Sequence, residues 1–148
     1  MTMMVLVVKF LSKIENTMNV SGFWTGEYTY SQLNDGPVPF QVELKQVAAL
    51  VEGTTTEQNT FDELAGQILI AELFGKVSGN DISFTKTYSN SPMGKDKVFY
   101  SGTVSEDGNI ITGQWKIFSF WNGTFRMTKA IEQKPSPKAV FAKKTEDA

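Results

Sequence analysis

The chain has 148 residues, a formal charge of −2 from fourteen Lys+Arg against sixteen Asp+Glu, and no histidine or cysteine. That length fits one domain able to fold without disulfide or metal support. The missing residue types exclude disulfide scaffolds, Cys-ligated metal clusters, thiol nucleophiles, Ser-His-Asp catalysis and most catalytic zinc sites. Thirteen of the fourteen cations are lysine, so the arginine forks and basic stripe expected of a nucleic-acid binder are lacking.

Residues 1–18 place Leu6, Val7, Phe10, Leu11 and Ile14 at helical spacing, with Lys9, Lys13 and Glu15 opposite. They predict a short amphipathic helix packed on the domain. The apolar run from Met3 to Val8 is too short to span a bilayer, and Lys9 breaks it. The charge order and small-residue site of a secretory signal are absent, so the expected location is cytoplasmic. Met18, just before the strand-rich region, is an alternative start.

From Gly22 the period changes to two. Trp24, Tyr28 and Tyr30 share one face, and after the turn Asn34–Pro37 so do Phe40, Val42 and Leu44. A threonine-rich stretch, Leu50 to Glu57, and an apolar run, Gln67 to Val77, follow. Beyond the turn Ser78–Asp81 come Ile82, Phe84, Lys86 and Tyr88, then Val98, Tyr100, Gly102 and Val104. Glu106–Asn109 turns the chain into Ile111, Gly113, Trp115 and Ile117, and Asn122-Gly123 reads as the hairpin into Phe125, Met127 and Lys129.

Eight short strands with no crossover helix predict an all-β fold, an eight-stranded antiparallel up-and-down barrel, which hides its edges by closure. The barrel is expected over 19–133, behind the 1–18 helix and ahead of a flexible, Pro-punctuated tail at 134–148. A Greek-key sandwich is the alternative topology. The residues expected to be buried are Trp24, Phe40, Val42, Leu44, Phe84, Val98, Ile111, Trp115, Phe125 and Met127.

Gly22-Phe23-Trp24-Thr25-Gly26-Glu27-Tyr28 resembles the Gly-x-Trp opening strand of calycin barrels, the group of lipocalins, fatty-acid-binding proteins and avidins. Gly75-x-Val77, Ile82-x-Phe84, Gly102 and Ile111-x-Gly113-x-Trp115 continue that rhythm over roughly Ser21 to Ala130. The resemblance implies that Trp24 plugs the closed end, that Arg126 packs on it, and that a small molecule enters at the open end. The biotin-binding constellation of avidins is not recognisable.

If Trp24 marks the closed end, the meander brings Tyr28, Tyr30, Lys86, Tyr88 and Tyr100 towards the mouth. Phenols there suit an aromatic ligand, and a lysine suits an anionic one. Lys129 shares the parity of Phe125 and Met127 and is a second inward lysine. Glu72, set in the apolar run Ile70–Phe74, is the candidate acid to neutralise a lysine inside. With Trp115, these residues form the expected ligand site.

Asn122-Gly123-Thr124 also matches a glycosylation sequon, and Asp107-Gly108-Asn109 resembles a calcium-loop fragment; both read more simply as turns. No catalytic residue, metal site or cofactor is assigned, and no nucleic-acid partner or integral membrane segment is expected. Three functions compete: a barrel binding a small anionic or aromatic ligand, a filled barrel serving as an interaction or structural module, and a histidine-free isomerase or cyclase using Tyr, Lys and Glu.

Overall fold

A computed structural model of the chain describes residues 17–34, 36–58, 67–89, 97–118 and 121–130. The expected N-terminal helix and C-terminal tail lie outside the described residues. Eight strands run β1 (Gly22–Tyr30), β2 (Val38–Val47), β3 (Leu50–Gln58), β4 (Ile68–Ser78), β5 (Asp81–Tyr88), β6 (Lys97–Val104), β7 (Ile110–Ile117) and β8 (Trp121–Lys129). Each pairs antiparallel with its sequence neighbour, and β1 pairs with β8 to close the barrel. Among the described residues no helix is long and apolar enough to cross a membrane.

The period-two pattern becomes an inside and an outside. All ten residues expected in the core are buried, from Trp24 and Ile111 at 0 % exposure to Phe40 and Phe84 at 5 %. Inward positions along β4 are Leu69, Ala71, Leu73 and Val77. Glu72 is therefore exposed on the outer wall, contrary to its expected interior place. The run Ile70–Phe74 conceals the alternation because Ile70 and Phe74 are themselves exposed apolar residues.

Trp24 does mark one end. Its indole nitrogen donates to the Val20 carbonyl at 3.0 Å, and Val20 is fully buried. The Val20 amide donates to Gln46 Oε1 at 2.8 Å and the Gln46 amide to Ser21 Oγ at 2.9 Å, so the lead-in to β1 is fastened across this end. The residue over the Trp24 ring is Lys129, whose Nζ lies 5.9 Å from the centroid. Arg126 was implied there by the calycin resemblance, but it is exposed, because it falls between the inward Phe125 and Met127.

The turns follow their glycines. Gly79 (φ 60°) and Gly108 (φ 78°) supply the left-handed backbone that the β4–β5 and β6–β7 connections need. Asp107 accepts from the Ser105 hydroxyl at 2.6 Å and from the Asn109 amide at 3.0 Å, and those bonds hold its carboxyl below the usual range. Its side chain is thus used in a hairpin turn.

Asn122 and Gly123 are not a turn. They lie within β8, opposite Lys116 and Trp115 of β7. Gly123 is buried because the chain comes too close for any side chain: a Cβ there would sit 1.6 Å from the Thr29 carbonyl oxygen and 2.7 Å from Trp115 Nε1. That space lets the Trp115 indole donate to Thr29 O at 2.9 Å. Gly123→Ala is expected to remove this bond and destabilise the barrel by about 1–3 kcal/mol. The check is a lower urea midpoint together with a shifted Trp115 indole N–H resonance.

Candidate functional site

β1, β3 and β5 run in the same direction, so their late residues meet at the end opposite Trp24. β3 delivers Glu57 there, β1 delivers Tyr28 and Tyr30, and β5 delivers Lys86 and Tyr88. Glu57 (4 % exposed) and Lys86 (1 %) are buried inside the barrel. Lys86 Nζ donates to Glu57 Oε1 at 2.5 Å, Tyr88 Oη donates to the same oxygen at 2.8 Å, and Tyr28 Oη donates to Oε2 at 2.5 Å. One carboxylate accepts from three donors on two other strands.

Rings enclose the ammonium. Its Nζ lies 4.7 Å from the Tyr88 centroid, 5.2 Å from Tyr28, 5.3 Å from Phe40 and 5.9 Å from Tyr100. Aromatic faces carry partial negative charge and replace some of the water that burial removes. Burial drives the Lys86 amine down, but Tyr88 and the Glu57 carboxylate more than offset this, and its pKa is raised. Burial, followed by Tyr88 and Glu57, raises Tyr28; burial with Glu57 raises Tyr100; and Tyr88 also rises because its own burial outweighs the pull of Lys86. All three phenols stay neutral across the physiological range, Tyr28 and Tyr88 donating to Glu57, and the ammonium keeps its proton.

A wall of rings flanks the charged group. Trp115 meets Tyr28 edge-to-face at 5.9 Å and Tyr30 at 4.8 Å, and Tyr30 meets Trp121 at 5.7 Å. Tyr30, Tyr88 and Trp121 are partly exposed, so this aromatic wall reaches solvent while the Lys86–Glu57 pair does not. Tyr100 stacks on Phe84 at 4.8 Å and 15° and meets Phe125 at 5.0 Å, below the charged group. Further inside on β3, the Thr55 hydroxyl is buried without a hydrogen-bond partner.

Of the residues expected at the site, the structure brings together Tyr28, Tyr30, Lys86, Tyr88, Tyr100 and Trp115. It leaves out Glu72, on the outer wall, and Lys129, which is half-buried beside Trp24 at the other end. Lys129 has the expected inward parity, but β8 runs back from the mouth, so its last residue belongs to the Trp24 end. Glu57 was missed, and so was Phe40 as a wall of the Lys86 box. The available signal was parity: Val51, Thr55 and Glu57 fall on one face of β3.

No family model matches the sequence, and no curated protein matches it. The fold resembles a redesigned β-barrel, with a TM-score of 0.62 and 11 % identity over 80 % of this chain and 95 % of that one. It also resembles a fluorescence-activating β-barrel designed de novo, with a TM-score of 0.53 and 14 % identity over 74 % of this chain and 93 % of the other. At such identity the likeness is one of fold: a closed, eight-stranded antiparallel barrel.

Proposed function

We propose that this chain is a calycin-like, non-enzymatic barrel that binds a small, flat, neutral aromatic molecule at the mouth, between Tyr30, Trp115, Trp121 and Tyr88. The observation that carries the reading is the Glu57–Lys86 pair with its two phenols. A buried ion pair is often replaceable by hydrophobic side chains with no loss of stability, so folding alone does not account for it. A polar group converging on an aromatic wall is the usual composition of a small-molecule site. The likeness to a barrel designed for fluorescence activation agrees with this reading. Glu57 already neutralises Lys86, so an anionic ligand would have to displace a carboxylate held by three donors. This favours a neutral ligand that hydrogen-bonds to the Tyr88 hydroxyl.

Matched probes test it. 1-Naphthol is expected to raise the melting temperature of the wild type and quench its tryptophan fluorescence, and 1-naphthoate to do so more weakly. The double variant Glu57→Leu/Lys86→Met should remain folded and lose the 1-naphthol response. A wild type indifferent to both probes would favour the interaction-module reading.

A further inference from the structure

The outer wall carries an apolar feature that the mouth does not use. Phe74 is 63 % exposed, Phe99 47 % and Phe118 69 %, on a surface where a water-facing barrel normally presents polar side chains. Phe74 and Phe99 stand either side of Thr85 in register, so two rings border a trough floored by small residues. The groove there has a volume of about 1280 Å³. It shares Lys76, Ser83, Ser101 and Gln114 with a second groove that reaches Ser78 and Asp81 beside the β4–β5 turn.

The chain enters the described structure at that same turn. The Met18 amide donates to the Gly79 carbonyl at 2.9 Å, which fixes where residues 1–16 begin their path. Those residues include Leu6, Phe10 and Ile14 on one helical face and Lys9 and Lys13 on the other. As a helix, the segment would be about 24 Å long. The way from the turn to Phe74 along β4 is about 17–20 Å. Beside Phe74 the wall carries the exposed carboxylates Glu52, its cross-strand partner on β3, and Glu72, two residues along β4, with the exposed Lys45 and Lys97 in the same groove.

We propose that residues 1–16 of this chain are the occupant of the trough, with Leu6 and Phe10 packed on Phe74 and Phe99, Ile14 nearer the β4–β5 turn, and Lys9 towards Glu52. The anchor, the reach and the apolar stripe agree on one occupant. The segment thereby covers the side wall of the barrel rather than its mouth.

Hydrogen exchange on the full chain tests this. Amides of residues 4–14 are expected to be protected at least about tenfold over the free peptide. Phe74→Ser/Phe99→Ser should abolish that protection and leave the strand amides unchanged, since both side chains are exposed. A nitroxide attached through Lys116→Cys, the only thiol such a variant would hold, should broaden the amides of residues 5–10 with the trough rings intact. Free-peptide exchange in the wild type overturns the proposal. So does protection that survives the double substitution, protection that fades on dilution (which would assign the trough to a second copy), or a nitroxide that leaves residues 5–10 sharp.

Discussion

Glu57→Leu is expected to cost about 3–5 kcal/mol of stability, more than any other single substitution inside the barrel mouth. The reason lies in what each partner leaves behind. Removing Glu57 strands three donors at once: the Lys86 ammonium, the Tyr28 hydroxyl and the Tyr88 hydroxyl. Removing Lys86 instead leaves a carboxylate that still accepts from two phenols, so Lys86→Met should cost visibly less. The double variant takes away both charges, and much of the loss should return, because hydrophobic side chains replace a pair that burial penalised from the start. Urea midpoints of the three variants against wild type measure the order. Equal losses in both single variants, or a double variant that sums them, would contradict a coupled network.

Alkaline unfolding should be steep and should begin near pH 10. Tyr28, Tyr88 and Tyr100 all have pKa values raised above their ordinary value of 10.0, chiefly by burial. Below pH 10 the native and unfolded chains both hold these protons, and stability is flat. Above it the unfolded chain releases protons that the native barrel retains, so each further rise in pH favours unfolding. For three retained phenol protons the loss approaches about 4 kcal/mol per pH unit. Lys86, also raised, adds in the same direction from its ordinary value of 10.5 upward. Against a total stability of about 5–15 kcal/mol, this unfolds the barrel within a few pH units. Tyrosinate absorbance and far-UV circular dichroism should change together. Phenols that titrate near pH 10 while the sheet signal persists would show that they are open to solvent.

Alternation and turn residues were enough to read eight strands and a closed barrel, because most strands, β3 and β4 excepted, set a mainly apolar face against a mainly polar one. The direction of the meander then placed Tyr28, Lys86, Tyr88 and Tyr100 together. The acid was harder to find. Glu57 ends a strand whose inner face is Val51, Thr55 and Glu57, and a polar inner face reads as an outer one until its partners on other strands are known. Glu72 misled for the opposite reason: apolar neighbours on both parities made it look interior. Asn122-Gly123 has the composition of a hairpin, but the approach of the Thr29 backbone, which only the folded seam creates, is what requires glycine there.

That seam between β1 and β8 has kinetic consequences. Every other pairing in the barrel is between strands consecutive in sequence, whereas Trp24 pairs with Lys129 and Tyr30 with Gly123, from opposite ends of the strand order. Loop-closure entropy rises with the length of chain enclosed, so this pairing contributes the most to contact order and completes last on the folding route. The Trp115–Thr29 hydrogen bond lies along the same line and forms only when the seam does. Unfolding retraces that line. A parted β1–β8 seam would expose a pair of bare strand edges where the described strands otherwise leave none.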